Sequence, residues 1–300
     1  SEMCIRDRYL GATTPDATNT DALGDVVYTY TDPAGPICMD GNPFYTSVRD
    51  QGSEDLVFFL QGGGLCYSEL CLAVSTASPG IPAIDILSPD KVTNPVGSWN
   101  MAYVPYCDGS LFSGDAEYDD DGDGQLDRIH HGLMNLSAAI DVTADHFPAP
   151  KRIFLAGSSG GGYGTIAGAV LARLTWPDAE LYVFNDAGVG LGRDGDTDFI
   201  WGIVEEFNAV ELLPGDNHAL LDGGHLTPMI GWQLDEDPAL KVAAFSSYGD
   251  YVISQMYLQA APDDFEDWLK EQLGAVNDAH PERFQSFLID GVTHTTLLGD

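Results

Sequence analysis

Short runs of β-branched and aromatic residues occur in the first hundred positions, and turn residues separate them. The runs at 26–30, 44–48, 56–60 and 101–105 predict strands. From about residue 131, apolar residues at helical spacing alternate with short, continuously apolar runs. Alternating helices and strands of this kind form mostly parallel sheets with right-handed crossovers, so the pattern predicts an α/β fold.

The second half of the chain carries the clearest alternation. Its patterns predict helices at 131–146, 161–175, 198–209, 251–259 and 263–273, and strands at 152–156, 181–184, 242–245 and 284–289. No internal repeat and no linker rich in Pro, Gly or Ser interrupts the chain, so we expect residues 9–300 to form a single domain. Residues 1–8 are expected to be a non-native segment, since they hold the odd cysteine, Cys4, and two of the few arginines.

A glycine-rich turn follows the strand predicted at 152–156. Gly157, Ser159 and Gly161 fit the pattern G-x-S-x-G between a strand and a helix, which is typical of a nucleophile elbow. The alternative is a phosphate-binding loop, but the glycine patterns of such loops do not occur there. The turn therefore predicts Ser159 as a nucleophile at a helix N-terminus, which favours developing negative charge.

A serine nucleophile needs a base, and the base needs an acid that orients it. His294 follows the last predicted strand, which is where an α/β-hydrolase presents its base, and His218 and His225 are the alternatives. Asp250 follows the preceding strand and is the predicted acid, with Asp186 as its competitor.

A second glycine-rich run supplies candidates for an oxyanion hole. The strand at 56–60 leads directly into Gly62-Gly63-Gly64-Leu65. Backbone N–H groups of such a loop, together with the residue after the nucleophile, stabilise the oxyanion in many esterases. We expect the N–H groups of Gly64, Leu65 and Gly160 to fill this role, and the alternative for the glycine run is a tight turn.

The charge balance is strongly acidic, because 47 Asp and Glu against 12 Lys and Arg give a net charge of −35. Such a surface repels phosphates, so nucleic acid and anionic lipid are not expected as partners. It also repels itself unless salt screens it, which favours a marine or halophilic setting, and the alternative is an acidic surface kept for solubility. No apolar run reaches the roughly 18 residues that cross a bilayer, so no membrane span is predicted.

An Asp-rich insertion occupies residues 117–128. Asp119, Asp121, Asp123 and Asp127 follow the spacing of a calcium-binding loop, although His130 stands where such loops usually carry a bidentate Glu. The spacing predicts a structural Ca²⁺ of modest affinity. The alternative is a solvated acidic turn in an already acidic protein.

Four of the five cysteines lie between positions 38 and 107. An even number in one region suits two disulfides formed in an oxidising compartment, which favours a secreted protein. Buried free thiols are the alternative. The sequence by itself does not choose among the three pairings that four cysteines allow.

Several motifs, in the same order along the chain, resemble the pectin acetylesterase family, which includes Notum-type carboxylesterases. They are Cys38-Met39-Asp40-Gly41, Gly62-Gly63-Gly64-Leu65-Cys66, Tyr106-Cys107-Asp108-Gly109-Ser110, Gly157-Ser158-Ser159-Gly160-Gly161, and the segments around Asp186, Asp250 and His294. The resemblance covers about 38–294. It implies an α/β-hydrolase fold with a mostly parallel central sheet and helices on both faces.

The same resemblance implies a Ser159–His294–Asp250 triad, deacylation without a cofactor, and an extracellular or periplasmic location. It also implies two disulfides, Cys66–Cys71 and Cys38–Cys107. Leu65 stands where the family usually has Trp, which leaves the substrate open.

The sequence thus predicts a carboxylic ester hydrolase that deacetylates a polysaccharide or cleaves another O-acyl ester. A polyester or a small ester is as plausible a substrate. The rival hypothesis is a calcium-stabilised binding module that keeps the fold without turnover, and the complete order Ser, Asp, His along the chain speaks against it.

Overall fold

A nine-stranded sheet forms the centre of the protein, in a computed structural model that describes residues 8–89, 92, 94–214 and 218–298. Its strand order is β1-β2-β3-β7-β4-β10-β11-β12-β13. The strands are β1 (Ala17–Thr20), β2 (Val26–Tyr30), β3 (Phe44–Arg49), β4 (Asp55–Leu60), β5 (Gly64–Tyr67), β6 (Leu70–Ala73), β7 (Asn100–Val104), β8 (Ala116–Tyr118), β9 (Arg128–His130), β10 (Arg152–Ser158), β11 (Glu180–Asp186), β12 (Lys241–Ser247) and β13 (Phe284–Ile289).

The sheet combines a parallel and an antiparallel part. Strands β7, β4, β10, β11, β12 and β13 pair in parallel, whereas β1, β2 and β3 form an antiparallel extension on β7. Two small hairpins, β5–β6 and β8–β9, lie outside the main sheet. The predicted α/β class and the mostly parallel sheet are therefore confirmed.

Five α-helices accompany the described part of the sheet: α1 (Gly132–His146), α2 (Gly160–Thr175), α3 (Thr197–Glu206), α4 (Pro228–Glu236) and α5 (Pro262–Ala279). The segment predicted as a helix at 251–259 contains a π-helix, Val252–Tyr257. Helix α4 was not predicted, because its sequence follows a stretch rich in Gly, Asp and Pro that reads as a loop. No helix among the described residues is both long enough and apolar enough to cross a membrane.

The two faces of the sheet are covered differently. In the described part of the chain, α1 to α5 all contribute their buried apolar side chains to the core on one face. A short 3-10 helix, Asp85–Leu87, and the side chains of Leu297 and Leu298 cover the other face. The five α-helices of the described residues thus lie on one face, and a short 3-10 helix lies on the other.

Candidate active site

Four polar side chains come from the carboxyl ends of four neighbouring parallel strands. Ser159 follows β10, Asp186 ends β11, Asp250 follows β12, and His294 lies in the loop after β13. Because parallel strands all end at one edge of the sheet, this order brings the four residues into one region. The edge is where α/β proteins bind and transform ligands.

Ser159 occupies a strained turn between β10 and α2. Its backbone adopts φ 56° and ψ −120°, a conformation that L-residues rarely take. The flanking glycines permit the turn: a Cβ on Gly157 would lie 2.1 Å from the Gly161 carbonyl oxygen, and one on Gly161 would lie 2.1 Å from that of Leu60. The structure therefore holds Ser159 in the geometry of a nucleophile elbow.

Asp250 and His294 form a hydrogen-bonded pair. Nδ1 of His294 lies 2.9 Å from Oδ2 and 3.0 Å from Oδ1 of Asp250, which is fully buried. Oδ1 of Asp250 also accepts the N–H groups of Val252 and Ile253, each at 3.0 Å, so the carboxylate is fixed by the start of the π-helix. Nε2 of His294 is buried and has no hydrogen-bond partner in the described part of the chain.

Asp186 plays a different part from Asp250. Its carboxylate accepts hydrogen bonds from the Ser158 hydroxyl and from the N–H groups of Thr296 and Leu297. Its backbone oxygen accepts the Ser159 N–H at 2.7 Å. Asp186 thus ties the loop that carries His294 to the elbow that carries Ser159.

The alternative base His225 has partners other than Asp250. His225 is fully buried, where its Nδ1 accepts the Gly192 N–H at 3.0 Å, and burial lowers its pKa. Its partner across 3.5 Å is the carboxylate of Asp194. The side chain of His218 falls outside the described residues.

The β5–β6 hairpin, which carries the glycine run, presents its N–H groups alternately to its two sides. Val74 donates to the Gly63 oxygen, so Gly63 faces the partner strand, and Leu65 pairs with Leu72 on that same side. Cys66 instead donates outward, to the Gly109 oxygen.

Gly64 therefore faces outward, like Cys66, and its carbonyl accepts the Tyr106 hydroxyl at 2.8 Å. A Cβ on Gly160 would lie 3.0 Å from the Gly64 oxygen, so these two peptides are neighbours. Gly160 is the first residue of α2, and the N–H groups of a first helical turn lack partners inside the helix. This geometry favours Gly64 and Gly160 as oxyanion donors and turns the Leu65 N–H away from them.

An apolar cavity adjoins Ser159. It contains about 520 Å³ of empty space, including its open mouth. Its lining residues are Gly64, Leu65, Leu111, Ser159, Gly160, Tyr163, Leu191, Phe199, Ile200, Ile203, Leu226, Ile253, Tyr257 and Leu258. Apolar and aromatic side chains thus form most of the cavity wall, and Ser159 lies at its edge. Such a lining suits an apolar substrate group.

The sequence profile of the family described as Pectinacetylesterase matches residues 20–195. The chain belongs to the pectinacetylesterase family. The match includes Gly64 and Ser159 and ends before Asp250 and His294.

Named relatives of this pectinacetylesterase family member come from plants and animals. Pectin acetylesterase 4 of Arabidopsis thaliana is 30% identical over 169 residues, covering 51% of this chain and 41% of its own length. Palmitoleoyl-protein carboxylesterase notum2 of Xenopus laevis is 31% identical over 147 residues, or 43% of this chain and 28% of its own length. Palmitoleoyl-protein carboxylesterase NOTUM of Mus musculus is 27% identical over 172 residues, covering 50% of this chain and 33% of its own length. The chain therefore spans less than half the length of these relatives.

Two disulfides staple the loops of this pectinacetylesterase domain near the glycine run. Cys38 is bonded to Cys107 and Cys66 to Cys71, which is the pairing that the resemblance implied. Cys66–Cys71 links the two strands of the β5–β6 hairpin at the residue pair next to Leu65–Leu72. The bonds therefore constrain the segment that presents the candidate oxyanion donors.

The Asp-rich insertion places three carboxylates close together. Oxygen atoms of Asp119, Asp121 and Asp127 all lie within 4.8 Å of one another at the surface. The Asp123 carboxylate instead accepts the N–H and the side-chain amide of Gln125. His130 is fully buried with Nδ1 against the Asp108 oxygen, so it does not complete the set. Three carboxylates match the oxygen ligands that Ca²⁺ prefers, and calcium binding stays a prediction.

A calcium titration of thermal stability tests this prediction. A ligand that binds only the folded state stabilises it by about 2.7 kcal/mol at 100 times its Kd, so we expect the Tm of the wild type to rise with calcium. Asp121→Ala is expected to lose this rise, and Asp123→Ala to keep most of it. Equal Tm values for the wild type with and without calcium would rule the site out.

Some residues of the site were not recognised in the sequence. Tyr163, whose hydroxyl donates to the Leu191 oxygen, lines the cavity from α2, and Tyr257 lines it from the π-helix. Tyr163 stands four residues after Ser159, where a side chain of α2 faces the same side as the helix start, so this spacing could have indicated it. Nothing local to Tyr257 indicates its place.

Proposed function

We propose that this member of the pectinacetylesterase family is a carboxylic ester hydrolase that uses Ser159 as nucleophile, His294 as base and Asp250 as the acid that orients it. The observation that carries the proposal is the buried Asp250–His294 pair at the sheet edge that also presents Ser159 in its strained turn. Family membership and the names of the relatives support ester hydrolysis.

In the proposed reaction, the Ser159 hydroxyl attacks the acyl carbon of the ester while Nε2 of His294 accepts its proton. Asp250 fixes the proton on Nδ1, so Nε2 is left as the acceptor, and it stabilises the imidazolium that forms. The N–H groups of Gly64 and Gly160 bind the oxyanion of the tetrahedral intermediate. Long or absent Ser–His hydrogen bonds are common before substrate binds, which fits the unpartnered Nε2.

The intermediate then collapses and releases the alcohol, which takes the proton from His294. Water, deprotonated by the same imidazole, attacks the acyl-enzyme and releases the carboxylic acid and free Ser159. Side chains and water carry every proton and electron pair in these steps. No cofactor therefore enters the proposal.

The relatives suggest two substrate classes, an acetylated polysaccharide and a protein carrying a long acyl chain. The net charge of −35 disfavours a polyanionic glycan unless salt screens the repulsion. Apolar side chains line most of the cavity beside Ser159. We therefore favour an O-acyl ester whose acyl chain is longer than acetyl, with an acetylated neutral glycan as the second candidate.

A panel of aryl esters with acyl chains of increasing length tests this choice. Each methylene buried in the cavity contributes about 0.8 kcal/mol, or roughly fourfold in kcat/KM, so kcat/KM is expected to rise from acetate towards octanoate. Ile203→Phe, which reduces the cavity space, is expected to lower the octanoate-to-acetate ratio. A wild type that prefers acetate over every longer chain would refute the preference and favour the acetylated glycan.

We also propose that the protein works outside the cytoplasm, in the extracellular space or the periplasm. Disulfides persist in oxidising compartments, and the structure contains two. The acidic surface fits a salty medium, where its self-repulsion is screened.

A further inference from the structure

Tyr257, the last residue of the π-helix, reaches across to the β5–β6 hairpin. Its hydroxyl donates to the Leu72 oxygen at 2.7 Å, over a sequence separation of 185 residues. Burial raises the pKa of Tyr257, and a hydrogen bond from the Leu65 N–H opposes that rise. A single hydroxyl therefore contacts both strands of the hairpin, at the residue pair Leu65 and Leu72.

This contact lies next to the peptide that carries the candidate oxyanion donor. A Cβ on Gly64 would lie 2.5 Å from the Tyr257 hydroxyl and 2.0 Å from the Leu72 oxygen. Gly64 has φ +94°, which fits glycine far better than any other residue. The hairpin can pack this closely against Tyr257 because Gly64 has no side chain.

The π-helix has a triad residue before its first turn and this contact at its last residue. Asp250 accepts the N–H groups of Val252 and Ile253 and holds His294, seven residues before Tyr257. π-Helical turns are rare and occur frequently at functional sites. Here a short hydrogen-bonded segment links the acid of the proposed triad to the hairpin that bears Gly64.

We propose that Tyr257 is a positioning residue for ester hydrolysis, which holds the Gly64 N–H in the orientation that stabilises the oxyanion. The inference rests on the proposed function. The Gly64 N–H belongs to the peptide whose Gly63 oxygen accepts the Val74 N–H, and the hydroxyls of Tyr106 and Tyr257 hold the hairpin next to it, so this N–H is oriented before substrate arrives. Donors fixed in advance do not have to reorganise as charge develops, which is the main source of their catalytic effect.

The test is Tyr257→Phe, assayed on an aryl ester and on its thiono analogue, in which sulfur replaces the carbonyl oxygen. Sulfur accepts hydrogen bonds poorly, so hydrolysis of the thiono ester depends less on the hole. Removal of a whole oxyanion donor costs about 10²- to 10³-fold, and we expect misorientation of one donor to lower kcat on the oxo ester about tenfold. KM and Tm are expected to stay close to the wild type, and the oxo-to-thiono ratio of kcat to fall.

Tyr251→Phe is the matched control, since Tyr251 is exposed at the start of the same π-helix and its oxo-to-thiono ratio is expected to stay unchanged. Tyr257→Leu is a second variant that removes the hydroxyl with the ring, and it should lower the ratio as well. An equal fall of kcat on both esters, a change in KM alone, or no change in Tyr257→Phe would overturn the inference. A wild type that hydrolyses neither ester would contradict the proposed function itself, whereas an active wild type with an unchanged Tyr257→Phe contradicts only the role of Tyr257.

Discussion

Ser159→Ala is expected to lower kcat/KM for a short-chain aryl ester by about 10⁵-fold, since loss of a serine nucleophile removes the covalent route and leaves only the oxyanion hole and binding. The variant retains the turn, because alanine replaces the hydroxyl without adding volume. Its Tm should therefore match that of the wild type. Initial rates at high salt, where the net charge of −35 is screened, are the measurement.

Ser158→Ala is the control for this experiment. The Ser158 hydroxyl donates to the buried carboxylate of Asp186 at 2.7 Å, so its loss is expected to lower Tm and to leave most of the activity. If wild type and Ser159→Ala hydrolyse the ester equally, the serine mechanism is excluded. Equal inactivity of both, with correct folding, would instead favour the rival hypothesis of a binding module without turnover.

The strands and the candidate nucleophile could be predicted because their signals are local. The apolar runs at 56–60 and 152–156 predict buried parallel strands. The glycines on both sides of Ser159 indicate a sharp, strained turn, because larger residues would not fit there. His294 follows from chain order alone, since the base comes after the last strand. These features need no knowledge of which residues meet across the fold.

The orientation of the candidate oxyanion donors could not be predicted. Gly64 and Leu65 are adjacent, and which of the two N–H groups faces the partner strand depends on the register of β5 against β6. The β6 segment gave no strand signal in the sequence. The contact of Tyr257 with Leu72 is equally inaccessible, because it joins residues on elements far apart in the chain.

The distribution of helices was also beyond the sequence pattern. Periodicity shows that a helix has an apolar stripe, but it does not show which face of the sheet that stripe covers. The structure places the 3-10 helix Asp85–Leu87 and the side chains of Leu297 and Leu298 on the second face.

Chain order favoured Asp250 over Asp186 as the acid, but both lie at the end of a parallel strand at the same edge, and the sequence does not show what either carboxylate binds. The structure gives them different partners: Asp250 binds His294, whereas Asp186 binds Ser158, Thr296 and Leu297. Substitution by asparagine should therefore lower mainly kcat at Asp250 and mainly stability at Asp186.

Asp250→Asn is expected to lower kcat by about 10⁴-fold with little change in Tm. The side-chain oxygen of asparagine can still accept the N–H groups of Val252 and Ile253. Its NH₂ group then lies against Nδ1 of His294, in the place of Oδ2. Nδ1 then becomes the acceptor and the proton moves to Nε2, so His294 cannot take the proton of Ser159. Kinetics and thermal melts of the purified variant measure both effects.

Asp186→Asn is expected to lower Tm with a much smaller loss of kcat. In this variant the NH₂ group of asparagine replaces one carboxylate oxygen, so it faces the N–H groups of Thr296 and Leu297 and cannot accept their hydrogen bonds. An unsatisfied buried donor costs about 1–3 kcal/mol, which reduces stability without altering the protonation of His294. The reverse outcome, with kcat lost in Asp186→Asn and retained in Asp250→Asn, would assign the acid of the triad to Asp186. Since, of these two carboxylates, it is that of Asp250 that lies against Nδ1 of His294, we expect kcat to be lost in Asp250→Asn and largely retained in Asp186→Asn.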